Sequence, residues 1–181
     1  MAFNVNEFRS QLVGDGARPN LFEVSMEFPF WAIPGNASRK FSFMCKTAQL
    51  PGSTVNSVPV QYFGRELKFA GNRTFADWSV TVINDEDFVI RNAFERWMNG
   101  LNSHNNNIRN PAAQGQLGYT QNAAVRQYGK SGNIVKEYNF IGVFPTDLSA
   151  IDVDWGSNDT IEEFTVNLTY QWWDAVRDGV A

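Results

Sequence analysis

The sequence predicts a mainly β protein: an antiparallel β-sandwich or barrel with one packing α-helix, an extended β-hairpin loop and terminal arms. Three observations carry this. Several stretches alternate apolar and polar residues at period two, one stretch alone shows a strong helical face, and Pro and Gly punctuate residues 47–73. At 181 residues and 43% hydrophobic content, the chain fits a single domain, 1–181, with a sizeable core.

Residues 1–18 are mixed and polar, and Gly14, Gly16 and Pro19 close the stretch. They read as an N-terminal arm that needs a neighbour to order it. Residues 20–28 alternate, with Phe22, Val24, Met26 and Phe28 on the core face of a strand. Trp31 to Asn36 reads as a turn region, and Lys40 to Lys46 alternates again through Phe41, Phe43 and Cys45.

Between residues 47 and 73, Val58 to Phe69 reads as a hairpin. A two-residue turn at Gly64-Arg65, glycine first, suits type II′ geometry. That register pairs Tyr62 with Leu67 and Val60 with Phe69 on one face, and Gln61 with Lys68 on the other. An isolated hairpin with an apolar face is marginal in water, so the segment has to dock, on its own domain or on a neighbouring subunit.

Asp77 to Ile83 alternates through Trp78, Val80 and Val82 as a strand. A helix over about 85–101 follows, with Asn84 as N-cap and acids in its first turn. Ile90, Ala93, Phe94, Trp97 and Leu101 share its apolar face. A second hairpin joins 123–128 to 134–144 across Gly129 to Gly132. Thr160 to Trp172 is the clearest strand, with Phe164, Val166, Leu168, Tyr170 and Trp172 facing the core.

The formal net charge of −4 argues against wrapping nucleic acid, which requires clustered cations. The distribution is uneven. From 39 to 73 the bases are Arg39, Lys40, Lys46, Arg65, Lys68 and Arg73, against Glu66 alone; from 137 to 174 there are acids and no Lys or Arg. Either the surface is simply uneven and solvated, or two faces of a repeating subunit complement each other.

No catalytic, cofactor or metal site is assigned. His104 is the sole histidine and Cys45 the sole cysteine, which excludes an internal disulfide, a thiol cluster and a His-pair metal site. Phosphate-binding glycine motifs are missing. Asp152-Val-Asp154-Trp-Gly156 begins like an EF-hand loop, but Gly and Ser stand at positions five and six, where an oxygen ligand and Gly are required. The sequence shows neither a signal peptide nor an apolar run of the roughly 20 residues that cross a bilayer, so cytoplasmic synthesis is expected. The four Asn-x-Ser/Thr matches then carry no glycosylation meaning.

Three blocks resemble the tail tube proteins of contractile-tailed bacteriophages. They are Cys45 to Val55, Val58 to Phe75 running into Trp78 to Phe88, and Phe144 to Trp155 with the strand to Trp172. The resemblance implies a structural subunit, not an enzyme. Six subunits form a ring, and rings stack head-to-tail into a hollow tube inside a contractile sheath, through which DNA passes without specific binding. It implies tail sheath, baseplate, tape measure and tail terminator proteins as partners, no membrane contact, and a place in the virion after assembly in the host cytoplasm. Type VI secretion and bacteriocin tubes share the architecture.

By the same resemblance, residues 47–71 form the extended loop between subunits and rings. Its candidate contacts are Gln49, Leu50, Pro51, Val60, Tyr62, Phe63, Gly64, Arg65, Lys68 and Phe69. The charge asymmetry suggests Asp147, Asp152, Asp154 and Asp159 as their acidic counterpart. Thr165, Asn167, Thr169 and Gln171 are the candidate lumen wall. Two rival readings stay open: the tube of a phage-derived injection system that delivers protein, and a carbohydrate-binding or hydrolytic β-sandwich with a groove of Trp31, Trp155 and Trp173.

Overall fold

The computed structural model describes residues 4–33 and 35–177. Four strands make a first sheet: β1 (Phe22–Met26), β6 (Gln121–Tyr128), the first part of β7 (Ile134–Leu148), and β9 (Trp172–Arg177). A second sheet continues from the last part of β7 through β8 (Glu163–Thr169) and β5 (Trp78–Ile83) to β2 (Cys45–Ala48). Every pairing is antiparallel.

One strand thus serves two sheets, and it has to bend to do so. The bend falls at Gly142, whose φ of +71° lies in the left-handed region that favours glycine. Alongside, the chain breaks between β8 and β9, and the Gln171 N–H donates to the Ile141 carbonyl at 2.9 Å. The path β1-β6-β7-β8-β5-β2 does not close on itself. The two-sheet half of the expected architecture is therefore present and the closed barrel is not.

The core lies between these sheets and is capped by two helices, α2 (Ala37–Met44) and α3 (Val89–Leu101). Alternation on the strands supplies Val24, Val125 and Phe140 from the first sheet, and Val80, Val82, Phe164, Val166 and Leu168 from the second. Trp78 stacks on Phe140 across the gap, ring centroids 4.2 Å apart and 14° from parallel. From the helices, Phe41 and Phe94 meet edge to face, and Phe28 contacts both. Such offset and T-shaped pairs are worth about 0.5–1.5 kcal/mol beyond their area burial. The indole N–H of Trp97 donates to the Tyr119 carbonyl at 2.8 Å, so the bulkiest helix residue is buried with its polar atom satisfied.

Several expectations are corrected. The alternating 40–46 segment is mostly helix, because Ala37, Phe41 and Met44 share a helical face toward the core while Phe43 is exposed. A short apolar run satisfies both periods, and the contact with β1 and α3 selects the helical one. Short helices α1 (Val5–Gln11) and α4 (Gln116–Tyr119) also occur, so the 85–101 helix is not the only one. In α1, Asn4 caps the amides of Asn6 and Glu7, giving the expected arm two helical turns; residues 1–3 of that arm lie outside the described residues.

α3 begins at Val89, not at 85. The acids expected in its first turn precede the helix instead: Lys40 binds both Asp85 and Asp87, and Asp87 also accepts from the Val89 N–H at 3.2 Å. Asn84 is buried and donates to Glu162 Oε2 instead of capping, and Phe88 turns the chain with φ +51°. Leu101 is half-buried at the edge of the helix face, beside the buried Gly100. The strand expected over 160–172 stops at Thr169, and Trp172 is 48% exposed in the new strand β9.

Candidate assembly surfaces

Strands β3 (Thr54–Tyr62) and β4 (Arg65–Thr74) form a two-stranded sheet apart from the core. Every residue of β3 is exposed, and Phe63 at the tip is 90% exposed. The register differs from expectation: Tyr62 pairs with Arg65, Gln61 with Glu66, Val60 with Leu67, Pro59 with Lys68 and Val58 with Phe69. The turn is therefore Phe63-Gly64, not Gly64-Arg65. Both residues have positive φ, +44° and +80°, which is type I′ geometry and matches strand twist. The slip is two positions, so side chains keep their faces. Val58, Val60 and Tyr62 still lie with Leu67 and Phe69, joined now by Arg65, opposite Pro59, Gln61, Glu66 and Lys68.

Both legs of this hairpin root at one end of the second sheet. The Trp78 indole donates to the Gln49 carbonyl at 2.9 Å, and that of Trp173 to the Gly52 carbonyl at 3.2 Å. Leu50 and Pro51 lie between these anchors, and Phe75 rests against Tyr170 where the chain returns. These bonds hold the base of the hairpin, while among the described residues nothing comparable covers its tip.

The loop 149–162 roots at the opposite end of the same sheet. Ser149 donates its N–H to the Thr165 carbonyl, Asn84 donates to the Glu162 carbonyl, and Ile83 pairs with Glu163. The loop encloses a surface depression of about 420 Å³ with Asp152, Asp154, Val153 and Ile161 in its wall. Trp155 is fully exposed. Asp154 accepts from the Gly156 N–H at 3.0 Å, so the loop carries its own turn.

Charge is distributed between these ends. Of the bases in 39–73, Lys40 and Lys46 are held within the chain, by Asp85 with Asp87 and by Glu163. Arg65 and Arg73 have no ion pair among the described residues, and Lys68 has only Glu66 at 3.8 Å. Asp152, Asp154 and Asp159 are likewise without an ion pair there. Asp147 does not join them: it lies on β7 and accepts from Asn167 Nδ2 at 3.3 Å.

Thr165, Asn167 and Thr169 share the outer face of β8, where Thr81 Oγ1 lies 3.3 Å from Thr165 Oγ1 and Thr169 donates to Asp77. Gln171 is not part of that face; it sits at the β8–β9 break. The three tryptophans of the rival groove are not brought together. Trp31 is fixed to the Gly118 carbonyl beside α3, Trp173 to the hairpin base, and Trp155 stands alone on the far loop. Sequence reading placed Trp155 only in that groove and gave it no part in assembly; the one available signal was an aromatic residue in an acidic stretch with no strand or helix period.

The same arrangement recurs in solved structures. The chain superposes with a TM-score of 0.64 on a chain of the anti-feeding prophage baseplate, at 16% identity over 91% of this chain and 97% of that one. A chain of the PVC extracellular contractile injection system sheath–tube complex gives 0.56, at 16% identity over 93% and 97%. At such identities the likeness speaks for the fold alone, a fold shared with chains of those two assemblies. Sequence narrows this further. Residues 17–176 match the family model for phage tail tube proteins, and the chain belongs to that family. It is 37% identical over 164 residues to tail tube protein gp19 of Enterobacteria phage T4, covering 89% of this chain and 93% of that protein. With the tail tube protein of Serratia phage KSP90 the identity is 27% over 168 residues.

Proposed function

We propose that this chain is the structural subunit of a contractile phage tail tube. Six copies form a ring, and rings stack head-to-tail into a hollow conduit, inside the sheath, for the DNA genome. Its partners are the tail sheath, baseplate, tape measure and tail terminator proteins, and its place is the virion after assembly in the host cytoplasm. The chain works without catalysis or cofactor. The observation that carries this reading is the 37% identity to the T4 tail tube protein across nearly the whole chain.

The physics of the chain supports it. An unburied apolar hairpin and open sheet edges are liabilities in a monomer and useful in a subunit that other copies complete. In this reading residues 47–71 are the inter-subunit loop, with Tyr62, Phe63, Arg65, Lys68 and Phe69 at the contact. Thr165, Asn167 and Thr169 face the bore, where neutral hydroxyl and amide groups and the nearby acids Asp77 and Asp147 let DNA pass without adhesion. A tube whose bore is lined by basic side chains would remove that last element.

The test is electron microscopy of the purified protein, concentrated alone and mixed with isolated tail baseplates as seeds. Hollow tubes or six-fold rings are expected. Particles lacking six-fold rings in both preparations would overturn the reading.

A further inference from the structure

We infer that the hairpin tip of one copy docks on the 150–162 loop of a second copy, with Trp155 as the anchor of the contact. The inference rests on the tube reading for the partner, and it adds which two surfaces meet.

The first argument is apolar. Tyr62 and Phe63 form an exposed edge-to-face pair, ring centroids 4.6 Å apart. Val153, Trp155 and Ile161 are exposed on the loop, two of them in the wall of the depression. Exposed aromatics flanked by complementary charge are the residue types that dominate interface energies.

The second argument is charge. Arg65 lies on the apolar face of the hairpin without an ion pair among the described residues, and Lys68 lies on the other face with only the 3.8 Å contact to Glu66. Asp152 and Asp159 bring uncompensated negative charge to the loop. Like charges would oppose hairpin-to-hairpin or loop-to-loop contact, whereas hairpin-to-loop contact pairs opposite signs.

The third argument is geometric and decides where the contact forms. The hairpin roots beside Trp78 and Leu168, and the loop beside Ile83 and Glu163. These lie at opposite ends of β8, whose seven residues span roughly 20 Å at the usual strand rise. Hairpin-to-loop docking between copies then places every subunit in the same orientation. Such a heterologous contact propagates in one direction.

The test uses the full chain with Cys45→Ser, Glu66→Cys and Ser157→Cys, assembled on baseplate seeds and treated with a short bis-maleimide. Thiol addition to each maleimide forms two thioethers and releases nothing. A ladder of covalently joined chains is expected from assembled protein, with monomer from either cysteine alone. Separately, Trp155→Ala is expected to raise the concentration for half-assembly at least about 10-fold, with the melting temperature unchanged because the side chain is fully exposed. Arg65→Glu with Lys68→Glu is expected to block growth, and adding Asp152→Lys with Asp159→Lys to restore it. Tubes with no ladder and normal assembly of Trp155→Ala overturn this inference and leave the tube reading intact. Absence of tubes or rings from the wild-type chain overturns both.

Discussion

Gln171 lies across Gly142 so closely that a Cβ on the glycine would stand 2.7 Å from Gln171 Cγ. The contact sits where β7 leaves one sheet for the other and where β8 gives way to β9. Gly142→Ala meets this contact and a left-handed φ together. We expect a loss of about 1–3 kcal/mol, read by urea unfolding. Unchanged stability would mean that the bend needs no glycine.

Gly100 makes room for Trp31. A Cβ there would lie 2.1 Å from the Trp31 ring, whose indole N–H is fixed to the Gly118 carbonyl at 3.1 Å. Gly100→Ala forces that ring aside, and we expect a loss of about 1–3 kcal/mol with a changed near-UV dichroism signal. A variant with wild-type stability and an unaltered signal would contradict the packing described.

Lys40 joins α2 to the start of α3 by binding Asp85 and Asp87. The hydrogen bond from Lys40 holds the Asp87 carboxyl down at about 2, below its ordinary 3.8. Hydrogen bonding to Asp85, then to Asp87, raises the Lys40 ammonium above 10.5. A depressed carboxyl contributes stability above pH 3.8 and loses it as pH falls through 2; a raised ammonium contributes below 10.5 and loses it above its raised value. The melting-temperature gap between wild type and Lys40→Gln is thus expected to hold at neutral pH and narrow as pH drops from 3.8 toward 2. A gap undiminished at pH 2 would count against the clamp.

Burial pushes the Cys45 thiol up to about 12. Since the thiolate is the nucleophile, alkylation at pH 8 is expected to be far slower in the native protein than in urea. Mass spectrometry after iodoacetamide treatment reads this directly. Comparable native and denatured rates would show the thiol free and ionisable.

Deleting the hairpin separates folding from assembly. Residues 54–74 pack chiefly on each other, outside the core. Replacing them with a short Gly-Ser link is expected to leave the melting temperature within a few degrees of wild type. Collapse of the fold on circular dichroism would mean that the hairpin supports its own domain.

Much of this was legible in the order of residues. Strands β1, β5 and β8, and the core face of α3, follow from side-chain period, which is a local property of the chain. The projecting hairpin was legible too, because a slip of two positions preserves which side chains share a face. The turn residues were not, since Phe63 adopts a positive φ that its side chain does not favour.

Segment 37–44 was ambiguous at the level of period, and long-range packing of Ala37 and Phe41 made it a helix. The start of α3 likewise involved a long-range contact: Asp85 and Asp87, expected in its first turn, precede it and bind Lys40, 45 residues upstream of Asp85 in the chain. On its own, then, the sequence determined a mainly β domain, a hairpin with one apolar face, and charge of opposite sign in two distant segments. Only the tertiary structure put the hairpin and the 149–162 loop at opposite ends of one sheet, left Trp155 bare at the far end, and withdrew Asp147 from the acidic group. Periodicity is set between neighbours along the chain, whereas the end of a sheet at which a loop emerges is set by strand pairing between residues 80 to 90 positions apart, Ile83 with Glu163 and Trp78 with Leu168.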